Sequence, residues 1–209
     1  MYRLVHILFR CTMWYRHMQK KSEGTESDLL QRCVRAYISE GTLDLSLDEM
    51  SSRVGVSKRM LVHYFGSRDS LERAAIRALE GSLRHQFAPS SLPAGLTPLQ
   101  LVDVLWERST AEETRSVLLL VMDVTRRAWN GTGAAREFYA EQQRLWTELL
   151  CKTIPDRNAV EDLLQLFQGA ILGYLVTNDS RVGAKTLRGF VKNWNDHHSS
   201  RKEKTRRLP

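Results

Sequence analysis

The sequence predicts an all-α protein of about nine helices, and three observations support this. Apolar residues recur at the i, i+3, i+4 spacing of a half-buried helix along most of the chain. The five prolines and the glycine clusters fall where one helix would end and the next begin. No segment has a convincing strand pattern. With 209 residues, of which 42% are hydrophobic and 26% charged, the chain can bury a core without disulfides or metals.

The first two helices have clear ends in the sequence. The first is predicted from Asp28 to Gly41, because glycine suits the left-handed position that follows a helix. The second is predicted from Ser46, whose spacing from Glu49 is that of a capping box. It is expected to end at Gly55.

A third and a fourth helix follow after short connections. Ser57 is a natural N-cap for the third, so about three residues that include a glycine separate two helices. That spacing is typical of a helix-turn-helix. The Gly66-Ser67 pair then precedes a longer helix with Leu71 and Leu79 on one face.

Five more helices are predicted beyond a linker rich in Pro, Ser, Gly and Ala at 87–98. Thr97 with Gln100 predicts a capping box for the fifth helix, and Thr110 with Glu113 predicts another for the sixth. The last three are predicted from Ala134 to about Thr153, from Pro155-Asp156 to Val176, and from Ser180 to about Trp194.

These boundaries divide the chain into four parts. An N-terminal tail covers 1–27, and a three-helix helix-turn-helix domain with the helix that follows covers 28–86. A larger helical domain covers 97–196, and a basic tail covers 197–209. The net charge of +7 is concentrated in the tails, because residues 1–22 carry +5 and residues 197–209 carry +4. Residues 28–85 carry only +1, so an argument for DNA binding depends on where a few basic residues lie.

Cysteine usage indicates a reducing compartment, and hydropathy predicts no membrane span. Cys11, Cys33 and Cys151 are far apart and odd in number, so neither a disulfide framework nor a metal site is predicted. The longest apolar run has six residues, far fewer than a membrane span needs. We expect a cytoplasmic protein without cofactor or metal. Translation is expected to begin after Met1, since Met13 and Met18 precede a more ordinary start.

One segment carries most of the functional information. The run SLDEMSSRVGVSK at 46–58 is followed by LVHYF at 61–65, and then by Ser67, Arg68 and Leu71. With these motifs, residues 28–85 resemble the DNA-binding domain of the tetracycline-repressor (TetR) family, whereas the rest resembles the family only in helical pattern and length. The resemblance implies a homodimeric transcriptional repressor whose larger C-terminal domain binds a small inducer.

Side chains on the third helix are expected to contact DNA. Leu61 and Phe65 face inward at i and i+4, so the residues around Arg59 lie on the other side. The planar guanidinium of Arg59 matches the two acceptors of guanine and is predicted to read a base edge. The predicted DNA-binding residues are Ser46, Ser57, Lys58, Arg59, Val62, His63, Tyr64 and Arg68. Of these, Ser46, Ser57, Lys58, Tyr64 and Arg68 are predicted to contact phosphates, with a capping or solvated role as the alternative.

The third helix departs from the TetR pattern at two places. Family members often carry Gly-Thr and then Leu-Tyr, where this chain has Arg59-Met60 and Leu61-Val62. The missing tyrosine before His63 removes one DNA contact, which Arg59 is expected to replace. The operator sequence is therefore predicted to differ while the geometry of the motif is retained.

The C-terminal half supplies large apolar side chains for a ligand pocket between helices. A largely apolar or aromatic small molecule is predicted to enter around Trp106, Met122 and Trp129. The full predicted pocket consists of Trp106, Met122, Arg126, Trp129, Phe138, Tyr139 and Phe167. For each aromatic residue the alternative is a purely structural place in the core.

The last two helices are predicted to form a dimer interface. Gly169 and Gly173 are four residues apart and would let another helix backbone approach closely. The predicted interface consists of Gly169, Gly173, Leu187 and Phe190. The third helices of the two chains, roughly 34 Å apart, would then enter successive major grooves.

The leading hypothesis is a dimeric repressor that binds a palindromic operator in double-stranded DNA and is released by a small effector. Two alternatives remain open: an architectural or division-associated DNA-binding protein without an inducer, and a helical ligand-binding protein that has lost DNA binding. An enzyme is not predicted, because the sequence has no glycine-rich phosphate loop, nucleophile elbow, His-Glu-x-x-His or Cys/His cluster.

Overall fold

A computed structural model describes residues 26–86, 91–131 and 133–206, and these ranges contain nine α-helices and no strand. The predicted all-α fold is confirmed. The helices are α1 (Glu26–Glu40), α2 (Leu47–Val54), α3 (Lys58–Phe65), α4 (Arg68–Gln86), α5 (Pro98–Ser109), α6 (Arg115–Trp129), α7 (Gly133–Cys151), α8 (Arg157–Thr177) and α9 (Ser180–Arg206). The expectations for residues 1–25, including the later start, lie outside the described residues.

The first of two hydrophobic cores joins the helix-turn-helix to the next part of the chain. Helices α1 to α4 surround fully buried side chains such as Cys33, Met50, Leu61 and Leu71. Val117, Leu120 and Val124 of α6 and Ala135 and Phe138 of α7 belong to the same core. The N-terminal four-helix segment therefore packs on α6 and α7, through α1 and α4.

A second core lies among the remaining helices. It contains Leu105 of α5, Leu150 of α7, Leu163 of α8, and Leu187 and Val191 of α9, all nearly fully buried. Helix α8 is long and apolar enough to cross a membrane by length and composition. Its inner face is buried in the second core, so the apolar residues of that face have partners within the protein.

Most helix ends agree with the sequence, but three differ, at the start of α6 and at both ends of α9. Thr110 does not cap a helix: its hydroxyl donates to the Trp106 carbonyl at 2.9 Å, a short 3₁₀ helix follows at Glu112–Thr114, and α6 begins only at Arg115. The predicted capping box at Thr110 is therefore wrong, because the hydroxyl already serves the end of α5.

The last helix differs at both ends. The cap comes from Asp179, whose Oδ1 accepts from the Arg181 backbone N–H at 2.9 Å, and not from Ser180. The helix continues to Arg206, well past Trp194. Residues 197–206, predicted as a tail, are thus helical.

Candidate nucleic-acid interface

The first helix of the helix-turn-helix is fixed by its capping box. The Ser46 hydroxyl accepts from the Glu49 backbone N–H at 3.2 Å, and the Ser46 backbone N–H donates to Glu49 Oε2 at 2.8 Å. The hydrogen bonds from the Ser46 hydroxyl and backbone hold the pKa of Glu49 below its ordinary value. Gly55 ends the helix with a φ of +67°, a left-handed conformation that glycine adopts without strain.

The second helix of the motif, α3, begins from Ser57. The Ser57 hydroxyl accepts from the Met60 backbone N–H at 3.2 Å, as predicted for an N-cap. Leu61 and Phe65 are buried in the first core. Their i, i+4 spacing orients α3, so the opposite face of this eight-residue helix is exposed.

Three of the predicted DNA-binding residues occupy that exposed face. Arg59, Val62 and His63 are all exposed, and Arg59 makes no hydrogen bond or ion pair with any other described residue. Tyr64 is half-buried, and its ring meets His63 edge to face at 5.2 Å. The structure therefore brings Arg59 and His63 together at the surface, where both side chains can reach a groove.

The other polar residues of the set already have partners. Ser46 and Ser57 act as caps. Lys58 Nζ lies 2.8 Å from Asp48 Oδ2 in a pair that is exposed on both sides. Such a pair contributes little to stability, so Lys58 can exchange Asp48 for a phosphate at small cost.

Arg68 lies in a different environment from the rest of the set. Its Nε donates to Glu72 Oε1 at 2.8 Å, and a terminal nitrogen lies 3.3 Å from Asp44 Oδ1. Both carboxylates also pair with Arg127 of α6, at 3.0 Å from Glu72 and 2.6 Å from Asp44. Arg68 thus belongs to a cluster that joins α4 and the segment before α2 to α6.

Arg127 is the centre of this cluster, because it pairs with Asp44, Glu72 and Asp123. We call it the junction cluster: Asp44, Arg68, Glu72, Asp123, Arg126 and Arg127. Asp123 Oδ2 accepts from the Leu43 backbone N–H at 2.9 Å and from Arg127 Nε at 3.1 Å. Burial of Asp123 opposes ionisation, but hydrogen bonds from Leu43, Arg126 and Arg127 outweigh it, so the pKa of Asp123 is lowered.

Sequence reasoning missed the junction cluster and placed two of its members elsewhere, Arg68 in the DNA-binding set and Arg126 in the ligand pocket. Its local part was visible, because Asp123 and Arg127 have the i, i+4 spacing of a helical ion pair. Its partners Asp44 and Glu72 are more than fifty residues away. Arg126, predicted in the ligand pocket, instead pairs with Asp123 at 2.7 Å.

The predicted ligand pocket is not assembled in one place. Trp106, Met122 and Phe167 lie in or against the second core, whereas Phe138 is buried in the first core. Trp129 is 88% exposed and Tyr139 also lies at the surface. The prediction that these residues form one pocket is wrong, because the chain divides them between two cores and the surface.

Trp106 occupies the middle of the second core. Its Nε1 donates to the Ser180 carbonyl at 3.0 Å, and its ring meets Phe167 and Tyr174 edge to face at 5.6 and 6.4 Å. A Cβ built on Gly183 would lie 2.5 Å from the Trp106 ring. Glycine at 183 therefore lets α9 approach this indole, and Trp106 ties α5 to α9.

A cavity lies beside the second core. It has a volume of about 420 Å³ and is lined by the segment before α5, the start of α5 and the end of α7. Leu101 and Leu149 line it and also belong to the second core. Lys152 and Thr153 add polar groups, so the cavity combines apolar walls with one cation.

The predicted dimer residues divide into two groups. Gly169 and Gly173 are exposed on α8, and a Cβ on either would meet nothing within 4 Å. Leu187 is fully buried and Phe190 is half-buried against the second core. The register of α9 directs Leu187 to the core, which contradicts its predicted place in the dimer interface.

Exposed apolar side chains near the two glycines were not predicted. Leu172 and Val176 of α8 are 57% and 79% exposed, and Val182 of α9 is 69% exposed. In α8, Leu172 and Val176 lie on the same side as the two glycines, at i, i+3 and i+4 spacing. Together with the two glycines, Leu172 and Val176 give α8 a flat, outward-facing apolar surface.

Comparison with known proteins agrees with this architecture. None of the protein-family models matches the chain. A stretch of 77 residues is 36% identical to the HTH-type transcriptional regulator BetI of Rhizobium meliloti (strain 1021). The match covers 37% of each protein, so the chain matches little more than a third of that regulator's length.

Solved structures match over most of the chain. A TetR-family transcriptional regulator from Streptomyces coelicolor has a TM-score of 0.65 at 16% identity, covering 82% of this chain and 80% of that one. A TetR transcriptional regulator from Legionella pneumophila has a TM-score of 0.62 at 12% identity, covering 83% and 98%. This chain has the TetR-family fold. The TetR resemblance predicted from the helix-turn-helix is thereby confirmed.

Within the TetR-family fold, the candidate surfaces for DNA and for a second chain lie on different helices. The exposed face of α3 is the candidate surface for DNA, and the outward face of α8 is the candidate surface for a second chain. The junction cluster joins α4 and the segment before α2 to α6. Within the described residues, no group of three or more His, Cys, Asp or Glu side chains could hold a metal ion.

Proposed function

We propose that this TetR-family protein is a dimeric, cytoplasmic transcriptional repressor that binds a palindromic operator and is released by a small, largely apolar ligand. The observation that carries the proposal is the exposed face of α3, where Arg59 and His63 stand on a short helix anchored by Leu61 and Phe65. In this proposal the protein acts by binding DNA and ligand, and it catalyses no reaction.

DNA recognition is proposed to combine one base-reading side chain with several phosphate contacts. Arg59 is free of protein partners among the described residues, so its guanidinium can donate to O6 and N7 of a guanine. Lys58 and Tyr64 flank it and suit phosphate contacts, as do the N-terminal turns capped by Ser46 and Ser57. Arg68 remains a candidate, although Glu72 and Asp44 compete with phosphate for it.

Dimerisation is proposed to use the outward face of α8 with the start of α9. Leu172, Val176 and Val182 offer exposed apolar surface, and Gly169 and Gly173 leave room for a partner backbone. A two-fold axis through this surface would present two copies of α3 to one palindrome.

Effector binding is proposed at the cavity lined by Leu101 and Leu149, which adjoins the core around Trp106. A ligand there would press on α5 and α7, and α7 also contributes Phe138 to the first core. Release requires only that the ligand have a higher affinity for the arrangement of the dimer that cannot bind DNA than for the arrangement that can.

Mapping the occupied sites on the chromosome with antibody to the native protein tests this function. A few promoter sites that empty when the effector is added are expected. Many scattered sites insensitive to small molecules would instead support the architectural alternative. No occupied site under any growth condition would overturn the proposal and favour a ligand-binding protein without DNA function.

A further inference from the structure

The recognition helix α3 leaves two apolar side chains in solvent. Met60 and Val62 are each 43% exposed, although Leu61 between them is fully buried. The helix is only eight residues long, and its remaining apolar residues, Leu61 and Phe65, are committed to the first core. Met60 and Val62 are therefore available to an external partner.

The two side chains flank the basic ones. Successive residues of a helix are rotated by about 100°, so the order around the outer face is Val62, Arg59, His63 and Met60. Each apolar side chain lies at one edge of the face that Arg59 and His63 occupy. A duplex that receives Arg59 in its major groove would meet an apolar group on either side.

The floor of the major groove offers one apolar group to such side chains. Base edges present donors and acceptors that lose their water when an apolar group covers them, but thymine also presents a C5 methyl group. We propose that Met60 and Val62 recognise thymine methyl groups on either side of the base pair read by Arg59. This inference rests on the proposed function and specifies the bases that the operator must contain.

The test compares thymine with deoxyuridine, which lacks only the methyl group. A palindromic duplex enriched from random DNA by the wild-type protein is synthesised without methylated cytosine, and each thymine is replaced in turn in both half-sites. Burying one methyl-sized group favours binding about fourfold, so a substitution that affects both half-sites should weaken binding about fifteenfold. Fluorescence anisotropy at constant salt measures the affinities.

Variants assign each methyl group to a side chain. Val62→Ser replaces the two γ-methyl groups with one hydroxyl, and Met60→Ala removes the thioether; each should lose the deoxyuridine penalty at one position only. Met60→Leu should retain it. Both positions are half exposed, and unchanged thermal midpoints will verify folding.

Three outcomes are distinguishable. Position-specific penalties that the matching variant removes support the inference. Equal affinity for thymine and deoxyuridine duplexes, or penalties that persist in both variants, overturns it while the proposed function stands. Failure of the wild-type protein to enrich any duplex overturns the proposed function together with this inference.

Discussion

Sequence-specific recognition is proposed to depend on Arg59. Arg59→Ala should weaken operator binding and relax discrimination at one base position by about 1–3 kcal/mol, because the bidentate contact to guanine is lost. Titration of wild-type and variant protein against all single-base operator variants measures the effect.

Lys58→Ala on the same helix serves as a matched control for Arg59. It should weaken binding about equally for every operator and lower the salt dependence, as loss of a phosphate contact does. An Arg59→Ala protein that still ranks the operator variants as wild type does would show that Arg59 reads no base.

Asp123 should contribute to stability through the junction cluster. Asp123→Asn should lower the free energy of unfolding by about 2 kcal/mol at neutral pH, because charged hydrogen bonds to Arg126, Arg127 and the Leu43 N–H are weakened. Urea denaturation followed by circular dichroism measures the loss.

The pH dependence of that loss has a definite sign. The pKa of Asp123 is lower in the folded protein than its ordinary value of 3.8. The contribution of ionised Asp123 to the free energy of unfolding is therefore complete above pH 3.8, and it is lost as the pH falls through the folded pKa. The difference between wild type and Asp123→Asn should therefore shrink in acid. Asp103→Asn, at an exposed pair with Arg188, is the control and should change stability by less than about 1 kcal/mol. A deficit for Asp123→Asn that grows in acid would contradict the assignment.

At the scale of the helices, the sequence predicts where a capping box can form. It does not predict when the capping hydroxyl will bond to another partner instead. The capping box of Ser46 with Glu49 needs only residues three apart, and it formed as predicted. The box predicted for Thr110 failed because its hydroxyl bonds to Trp106 one turn earlier, a choice that spacing alone does not decide.

The contact between α5 and α9 gives a prediction at this scale. Gly183→Ala should destabilise the protein by about 1–3 kcal/mol, because its Cβ would lie 2.5 Å from the Trp106 ring and 3.1 Å from the Ala170 Cβ. Differential scanning calorimetry measures the change.

Gly189→Ala in the same helix is the matched control. Its Cβ would meet nothing within 4 Å, so stability should hold or rise by up to about 1 kcal/mol, as alanine favours helix. Equal thermal midpoints for Gly183→Ala and wild type would refute the proposed close packing.

At the scale of the whole molecule, the candidate site divides into a part that the sequence predicts and a part that it does not. The exposed face of α3 follows from the i, i+4 pair Leu61 and Phe65. The ligand pocket was predicted from aromatic content, and composition carries no information about which core receives Phe138 and which receives Trp106. The junction cluster likewise depends on contacts between distant segments.

Assembly of two chains provides another prediction. Val176→Glu should convert the dimer to monomer at micromolar concentration, because a carboxylate would be buried in the proposed apolar interface on α8. Sedimentation velocity measures the mass. Trp129→Glu introduces the same charge at an exposed apolar residue of α6 and should leave the dimer intact. A Val176→Glu dimer of unchanged affinity would place the interface elsewhere.

Two copies of α3 are proposed to read one palindrome. Sedimentation of the wild-type protein with a duplex enriched from random DNA tests this proposal most directly. We expect an enriched palindrome whose half-site centres are about one helical turn apart, or a multiple of it. Two chains should bind it, and binding should be lost when one half-site is scrambled. Enrichment of no sequence, or undiminished binding to the scrambled duplex, would contradict the proposal.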